Sequence, residues 1–154
     1  MKGMVTPIPA ATHDTPMREF KSATGKTYLT ISHDKKNRWI YNNWTGYVST
    51  DNVKVGSTSF LEVLQQTGCA FTLIDNRELV GPWDQSLEWI KNEWVPAAKK
   101  VGLRFYAHVV NKDTFAEAAA LQMQDFVKGE FEMRVFYSMP DAQEWLQQQM
   151  SVPI

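Results

Sequence analysis

The chain lacks several features that would indicate a secreted or membrane protein. It has a single cysteine, Cys69, which cannot form an internal disulfide. This usage is typical of a reducing compartment, so we predict a cytoplasmic location. No stretch approaches the roughly 20 apolar residues that span a bilayer, which argues against membrane insertion. Pro7 and Pro9 interrupt any apolar segment of a signal peptide near the N-terminus.

The chain also lacks a large excess of positive or negative charge, and it lacks recognisable catalytic motifs. The 16 Lys and Arg residues nearly balance the 17 Asp and Glu residues, so the net charge is −1 and gives no electrostatic reason to expect nucleic acid. The 3 histidines are scattered, and no Cys/His spacing predicts a metal site. No glycine-rich phosphate loop or Gly-x-Ser-x-Gly elbow is present, so we predict no metal and no cofactor.

What the chain does have is two mostly apolar runs of strand length, at residues 69–74 and 103–110, in which Arg104 is the one residue of fixed charge. Neither alternates cleanly between apolar and polar residues, which is typical of parallel strands that are covered on both faces. The segment between them has helical periodicity. We therefore predict that the two runs are neighbouring parallel strands joined by a helical crossover.

The remaining pattern extends this unit into a whole domain. Residues 28–33 and 38–45 favour an antiparallel hairpin, and residues 18–22 are a candidate for a further short strand. The order β–β–α–β–α–β–α–β–α predicts an α/β fold with a mixed, mostly parallel sheet of about five strands and about four helices. We predict a flexible N-terminal arm over residues 1–16 and a single domain over residues 17–154.

Two helices carry informative residues. Gly56 interrupts the first predicted helix, where close packing of the helix on the sheet would explain it. In the second, Trp83, Leu87, Ile90 and Trp94 recur at helical spacing and are predicted to face the core. Pro96 is expected to kink or restart that helix, and to move the preceding residue away from helical angles.

A second face of the tryptophan-rich helix is a candidate partner surface. Trp89 lies away from the core stripe, beside Ser86 and Glu93. Tryptophan is enriched where protein interfaces carry their binding energy, so an exposed Trp89 would favour a protein partner or a homodimer. The alternative is that Trp89 lies flat under a neighbouring loop.

The order of these segments resembles the STAS fold, and more narrowly the SpoIIAA-like, CRAL-TRIO-related bacterial STAS proteins. The resemblance covers about residues 26–148 and depends on the order and spacing of several short motifs. Those motifs are Tyr28-Leu29-Thr30-Ile31, Trp44-Thr45-Gly46-Tyr47, Asp75-Asn76-Arg77, Glu88-Trp89-Ile90, Glu93-Trp94-Val95-Pro96, Gly102-Leu103 leading into Ala107-His108-Val109-Val110, and Val135-Phe136-Tyr137 followed by Ala142, Trp145 and Leu146.

The resemblance implies a fold and a non-catalytic binding or regulatory module of STAS-like type. Anti-sigma-factor antagonists of this family carry a phosphorylatable serine at the start of the helix after a core strand. The matching stretch, residues 75–83, contains no Ser or Thr, and Ser86 lies one turn later, which argues against the phospho-switch. The lipid-binding relatives imply a small apolar ligand as the alternative to a protein partner.

Polar residues that follow the predicted parallel strands define a candidate ligand site. Ligands of open α/β sheets bind outside the carboxyl ends of the strands, and helix N-termini there attract anions. The alternative is that these residues cap helices and shape turns, and that the arginine pairs with a nearby acid. The predicted ligand-binding residues are Asp75, Asn76, Arg77, Asn111, Lys112 and Ser138.

A small enzyme is the alternative function. His108 lies within an apolar strand, two residues before its predicted end, and could act as a general base oriented by Asp75 or Glu93. The competing interpretation is a core histidine that is hydrogen-bonded to a neighbour. The enzyme hypothesis requires His108 and Asp75 to share one cleft.

Overall fold

The computed structural model describes residues 16–151, and its centre is a six-stranded sheet whose spatial order is the order of the strands in the sequence. The strands are β1 (Arg18–Lys21), β2 (Thr27–Asp34), β3 (Trp39–Gly46), β4 (Phe71–Leu79), β5 (Phe105–Val109) and β6 (Glu132–Phe136). The predicted N-terminal arm lies outside the described residues except for Pro16, so its conformation stays a prediction.

The strand directions confirm the predicted fold class. β1, β2 and β3 pair antiparallel, and β3, β4, β5 and β6 pair parallel. The apolar runs at residues 69–74 and 103–110 supply β4 and β5, which are parallel neighbours as expected. The prediction of about five strands is one short, because the candidate strand at residues 18–22 does form and adds to the hairpin as β1.

Four helical segments connect and cover the strands. They are α1 (Thr50–Thr67), a composite helix over residues 84–100, α4 (Phe115–Phe126) and α5 (Met139–Ser151). The composite helix joins a 3-10 turn (Asp84–Ser86), α2 (Leu87–Trp89), a π-helical turn (Ile90–Trp94) and α3 (Val95–Lys100). In the part of the chain that the structure describes, no helix has the length and apolarity needed to cross a membrane.

The sheet has two differently covered faces. On the α1 face, residues such as Ile40 and Ile74 pack with α1, the composite helix and α4 in the larger core. On the α5 face, Trp39, Leu73 and Ala107 pack against α5 in a smaller core. Successive residues of a strand point to opposite faces, so the parity of a position decides which core it enters.

The composite helix absorbs Pro96 without breaking. Val95 has φ −60° and ψ −47°, so the prediction that it leaves helical angles is wrong. A proline lacks the N–H that would continue the regular ladder. The preceding turn widens instead, and the N–H of Val95 donates to the carbonyl of Ile90, five residues back. Trp94, at the end of this wide turn, donates from Nε1 to the carbonyl of Ser57 at 2.8 Å and ties the segment to α1.

The main departure from the sequence-based fold is the length of β4. Residues 75–82 have the composition of a loop, but the strand continues to Leu79. The pairing of β3 with β4 shifts between Asn43 and Thr45, which pair with Asp75 and Glu78, so β4 carries one extra residue. Such a bulge reverses the parity of the strand, which explains how Leu73 and Leu79 enter opposite cores.

Close contact between α1 and the sheet explains Gly56. A Cβ built on this residue would lie 2.6 Å from Leu29 Cδ2 and 2.7 Å from Trp44 Cη2. Both distances are shorter than the contacts that real Cβ atoms make, and the two neighbours are buried in the core, where they have little room to move away. The helix therefore lies nearer to the sheet than an alanine would allow, as the sequence predicted.

Candidate functional site

A row of paired residues crosses the sheet on the α1 face and includes two buried polar side chains. Asn42 of β3 pairs with Ile74 of β4, and Ile74 pairs with His108 of β5. Asn76 lies two residues beyond Ile74, within the bulge, and lines the same side of the sheet. The exposed fractions of Asn42, Asn76 and His108 are 0%, 4% and 1%.

These residues line a cavity between the sheet, α1 and the composite helix. About 40 Å³ is open to the centres of water-sized molecules, which is room for roughly three waters. Val48 and Ser57 are only half-buried, so the cavity approaches the surface beside the start of α1. Its walls are mostly aromatic and aliphatic, and the lining residues are Asn42, Trp44, Val48, Val53, Ser57, Phe60, Ile74, Asn76, Leu79, Trp83, Ile90, Trp94, Tyr106, His108 and Met123.

Four of the lining side chains carry buried polar atoms that have no hydrogen-bond partner in the protein. They are both amide atoms of Asn42, Oδ1 of Asn76, Nε1 of Trp83 and both ring nitrogens of His108. Most buried polar side-chain atoms in proteins are paired, and one that is not costs about 1–3 kcal/mol. Two further unpaired atoms, Nε1 of Trp39 and Oγ of Ser86, lie outside the cavity lining, so most of the unpaired polar atoms among the described residues converge on this one cavity.

His108 is held as a neutral ring inside this site. It stacks on Trp83 with centroids 5.9 Å apart and planes 6° apart, and lies 5.7 Å from the ring of Tyr106. Burial lowers the pKa of His108 from 6.5 to about 3, against a smaller opposing effect of the Asp75 charge. At neutral pH the ring therefore offers one donor and one acceptor and no charge.

The other face of the same strands carries a polar cluster with its hydrogen bonds made. Arg77 donates from Nε and Nη2 to the two carboxylate oxygens of Asp75, both at 2.9 Å, and Tyr41 donates its hydroxyl to Oδ2 at 2.8 Å. Burial alone would raise the pKa of Asp75, but the hydrogen bonds from Arg77 and Tyr41 outweigh it and leave that pKa below its ordinary value.

The proposed pairing of His108 with Asp75 is therefore wrong. Ile74 pairs with His108 and Asp75 pairs with Val109, so the two side chains leave the sheet on opposite faces. Asp75 is held by Arg77 and Tyr41, and neither nitrogen of His108 has a protein partner. The enzyme hypothesis loses Asp75 as the group that was to orient its base, and Glu93, the other candidate, is exposed whereas His108 is buried.

The predicted rim residues separate into four places. Asp75 and Arg77 form the cluster on the α5 face, and Asn111 joins them by donating to the carbonyl of Arg77 at 2.9 Å. Lys112 lies over the ring of Tyr137 at 5.5 Å. Ser138 accepts a hydrogen bond from the N–H of Asp141 at the start of α5, as a capping residue does. Asn76 alone enters the cavity.

The predicted partner surface does not form as one patch. Ser86 ends the 3-10 turn of the composite helix and is only 2% exposed, so its predicted place on an outer surface is wrong. Trp89 is half-buried, with Lys54 Nζ 5.9 Å from its ring centroid, and Glu93 is exposed. A protein partner or a homodimer stays a prediction.

Two residues that line the cavity, Asn42 and Trp83, were not predicted as site residues from the sequence. Asn42 falls between Ile40 and Trp44 at every second position of a strand, so it is a polar residue on an apolar face. That spacing is the signal that could have singled it out. Trp83 was correctly placed in the core, but only the fold shows that its indole N–H has no partner there.

Comparison with solved structures finds a protein of the same architecture. It is an uncharacterised DUF3478-family protein from Shewanella loihica, described as having a SpoIIAA-like fold, with a TM-score of 0.51. The two chains are 18% identical, and the match covers 94% of this chain and 99% of the other. The fold is SpoIIAA-like. No protein-family model matches the chain, and no curated protein is similar to it.

Proposed function

We propose that this protein is a non-catalytic binding module that holds a small, mostly apolar ligand in the cavity beneath α1. The observation that carries the proposal is the set of unpaired polar side chains, Asn42, Asn76, Trp83 and His108, around one aromatic-walled cavity. An apolar pocket with a few convergent polar groups is the usual form of a small-molecule site.

The position of the cavity supports this function. It lies on the carboxyl-terminal half of β3 and β4, next to the start of α1, where ligands of open α/β sheets bind. The half-buried Val48 and Ser57 lie on the side nearest the surface. A ligand longer than the cavity would bind with one end among the polar groups, and its other end would extend past these two residues to the surface.

The chemistry of the lining argues for binding rather than catalysis. A general base works best with a pKa near the working pH. Burial lowers the pKa of His108 to about 3, so the ring accepts a proton poorly at neutral pH. The phospho-switch has no support either, because Ser86 is buried and outside the cavity lining.

The proposal is tested by native mass spectrometry of freshly purified protein. We expect the wild-type protein to carry a bound small molecule of defined mass. In Asn42→Leu, a change that keeps the side-chain shape but removes both polar atoms of the amide, the occupied fraction should fall at least fivefold. Asn43→Leu is the matched control, because Asn43 is the next residue of β3 and faces the other side of the sheet.

Two results would contradict the proposal. One is wild-type protein without any added mass, and the other is an added mass that Asn42→Leu leaves unchanged. The same spectra report the oligomeric state, so they also test the predicted homodimer.

A further inference from the structure

We infer that the group bound inside the cavity is uncharged and carries both a hydrogen-bond donor and an acceptor, as a carboxamide does. The inference rests on the proposed binding function and adds the chemical class of the ligand's buried end. It follows from three properties of the lining: its charge, its hydrogen-bonding groups and its size.

The lining offers no charge to balance an ionic ligand. None of the residues around the cavity is Asp, Glu, Lys or Arg. The Asp75 carboxylate is across the sheet and already paired with Arg77. Since an ion moved out of water into an uncharged site loses its hydration without compensation, a carboxylate, phosphate or ammonium group would be excluded.

The unpaired atoms include both donors and acceptors. Nδ2 of Asn42 and Nε1 of Trp83 can donate, and Oδ1 of Asn42 and Oδ1 of Asn76 can accept. Neutral His108 adds one of each. A hydrocarbon would leave all of them unsatisfied, and a simple ketone or ether would satisfy the donors only. A carboxamide supplies a carbonyl oxygen and an N–H₂ in one plane.

The size of the cavity restricts the buried group to a few atoms. About 40 Å³ is open to water-sized centres, or roughly three waters. Acetamide, acetate and ethylammonium are comparable in size to this space and to one another, and they differ in charge. They are therefore matched probes for the class of group that the cavity accepts.

The test is a titration of the ¹⁵N-labelled full chain with each probe at pH 7, followed by two-dimensional NMR. We expect acetamide to cause saturable shifts in the amide signals of residues 42, 76 and 108. Acetate and ethylammonium should bind at least fivefold more weakly. Asn42→Leu should weaken acetamide binding at least fivefold, and Asn43→Leu should leave it unchanged.

Equal or tighter binding of acetate or ethylammonium would overturn the inference. So would the absence of saturable shifts with acetamide, because the cavity would then hold water alone. These failures are separable from that of the binding function. If a small molecule co-purifies but acetate binds as tightly as acetamide, the binding function stands and the inferred chemical class of the buried group is wrong. If acetamide binds selectively but no small molecule co-purifies, the inferred class stands and the proposed binding function is contradicted.

Discussion

Neighbouring residues of β4 show two opposite solutions to burying a polar side chain. Asp75 faces α5, where Arg77 and Tyr41 complete its hydrogen bonds at 2.8–2.9 Å. Asn76 faces α1, where its carbonyl oxygen is buried without a partner. The two residues are equally buried, at 4% exposed, so burial does not distinguish them.

The difference lies in what each cluster does for the fold. On the α5 face, every partner comes from the chain itself, so the cluster stabilises the folded state. On the α1 face, Asn42, Asn76, Trp83 and His108 have donors and acceptors that the chain does not use. Burying these unpaired groups lowers the free energy of unfolding, a cost that is typical of the polar groups of functional sites.

The largest expected effect concerns His108 and the pH dependence of stability. Burial lowers its pKa from 6.5 to about 3, so between these values the unfolded chain binds a proton that the folded protein excludes. Stability is then complete above pH 6.5 and falls as the pH decreases. At pH 4 this group should lower the free energy of unfolding by about 2–4 kcal/mol.

Replacement of His108 by phenylalanine, which keeps a flat ring against Trp83, should flatten this profile. The measurement is urea unfolding between pH 7.5 and pH 4. His33→Gln, which removes a half-exposed histidine from β2, is the control. If His108→Phe loses as much stability on acidification as the wild type, His108 is not a buried neutral ring.

Asp75→Asn should break the satisfied cluster and cause the next largest effect. It removes the charge that Arg77 and Tyr41 stabilise, so we expect a loss of about 1–3 kcal/mol at pH 7. The partial exposure of Arg77, at 42%, keeps the effect below that of a fully buried pair. The pKa of Asp75 is lowered in the folded protein, so the loss should shrink as the pH falls below the ordinary value of 3.8.

The control for this variant is Asp125→Asn, which makes the same chemical change in an exposed ion pair with Lys128. We expect that variant to stay within about 0.5 kcal/mol of the wild type. Equal losses in chemical denaturation at the two positions would show that the buried cluster contributes no more than a surface pair.

Asn42→Leu should have the smallest effect and the opposite sign. The leucine has nearly the shape of asparagine and removes two buried unpaired groups, so protein stripped of ligand should gain about 1 kcal/mol. Thermal and urea unfolding measure the gain, and Asn43→Leu on the α5 face should not show it. A destabilised Asn42→Leu would mean that the amide is satisfied in the folded protein and contributes to its stability.

Much of the fold could be predicted from periodicity, because apolar runs and helical spacing report directly which surfaces must be buried. The parallel pair β4 and β5, the hairpin and the close approach at Gly56 all followed from local pattern. The end of β4 did not, since Asp75, Asn76 and Arg77 have turn propensity. Pairing with β3, which continues to Leu79 after the pairing with β5 has ended at Asp75, outweighs that preference.

The sequence alone determined the class of sheet, the core positions of Trp83 and Trp94 and the polar character of residues 75–77, because these depend on composition and spacing. The tertiary structure decided which of those polar groups find partners. A bulge in β4 and the alternation of side chains across the sheet send Asp75 to Arg77 and Asn76 to the cavity. Hydrogen bonding depends on distances between strands that are far apart in the chain, and no local pattern specifies them.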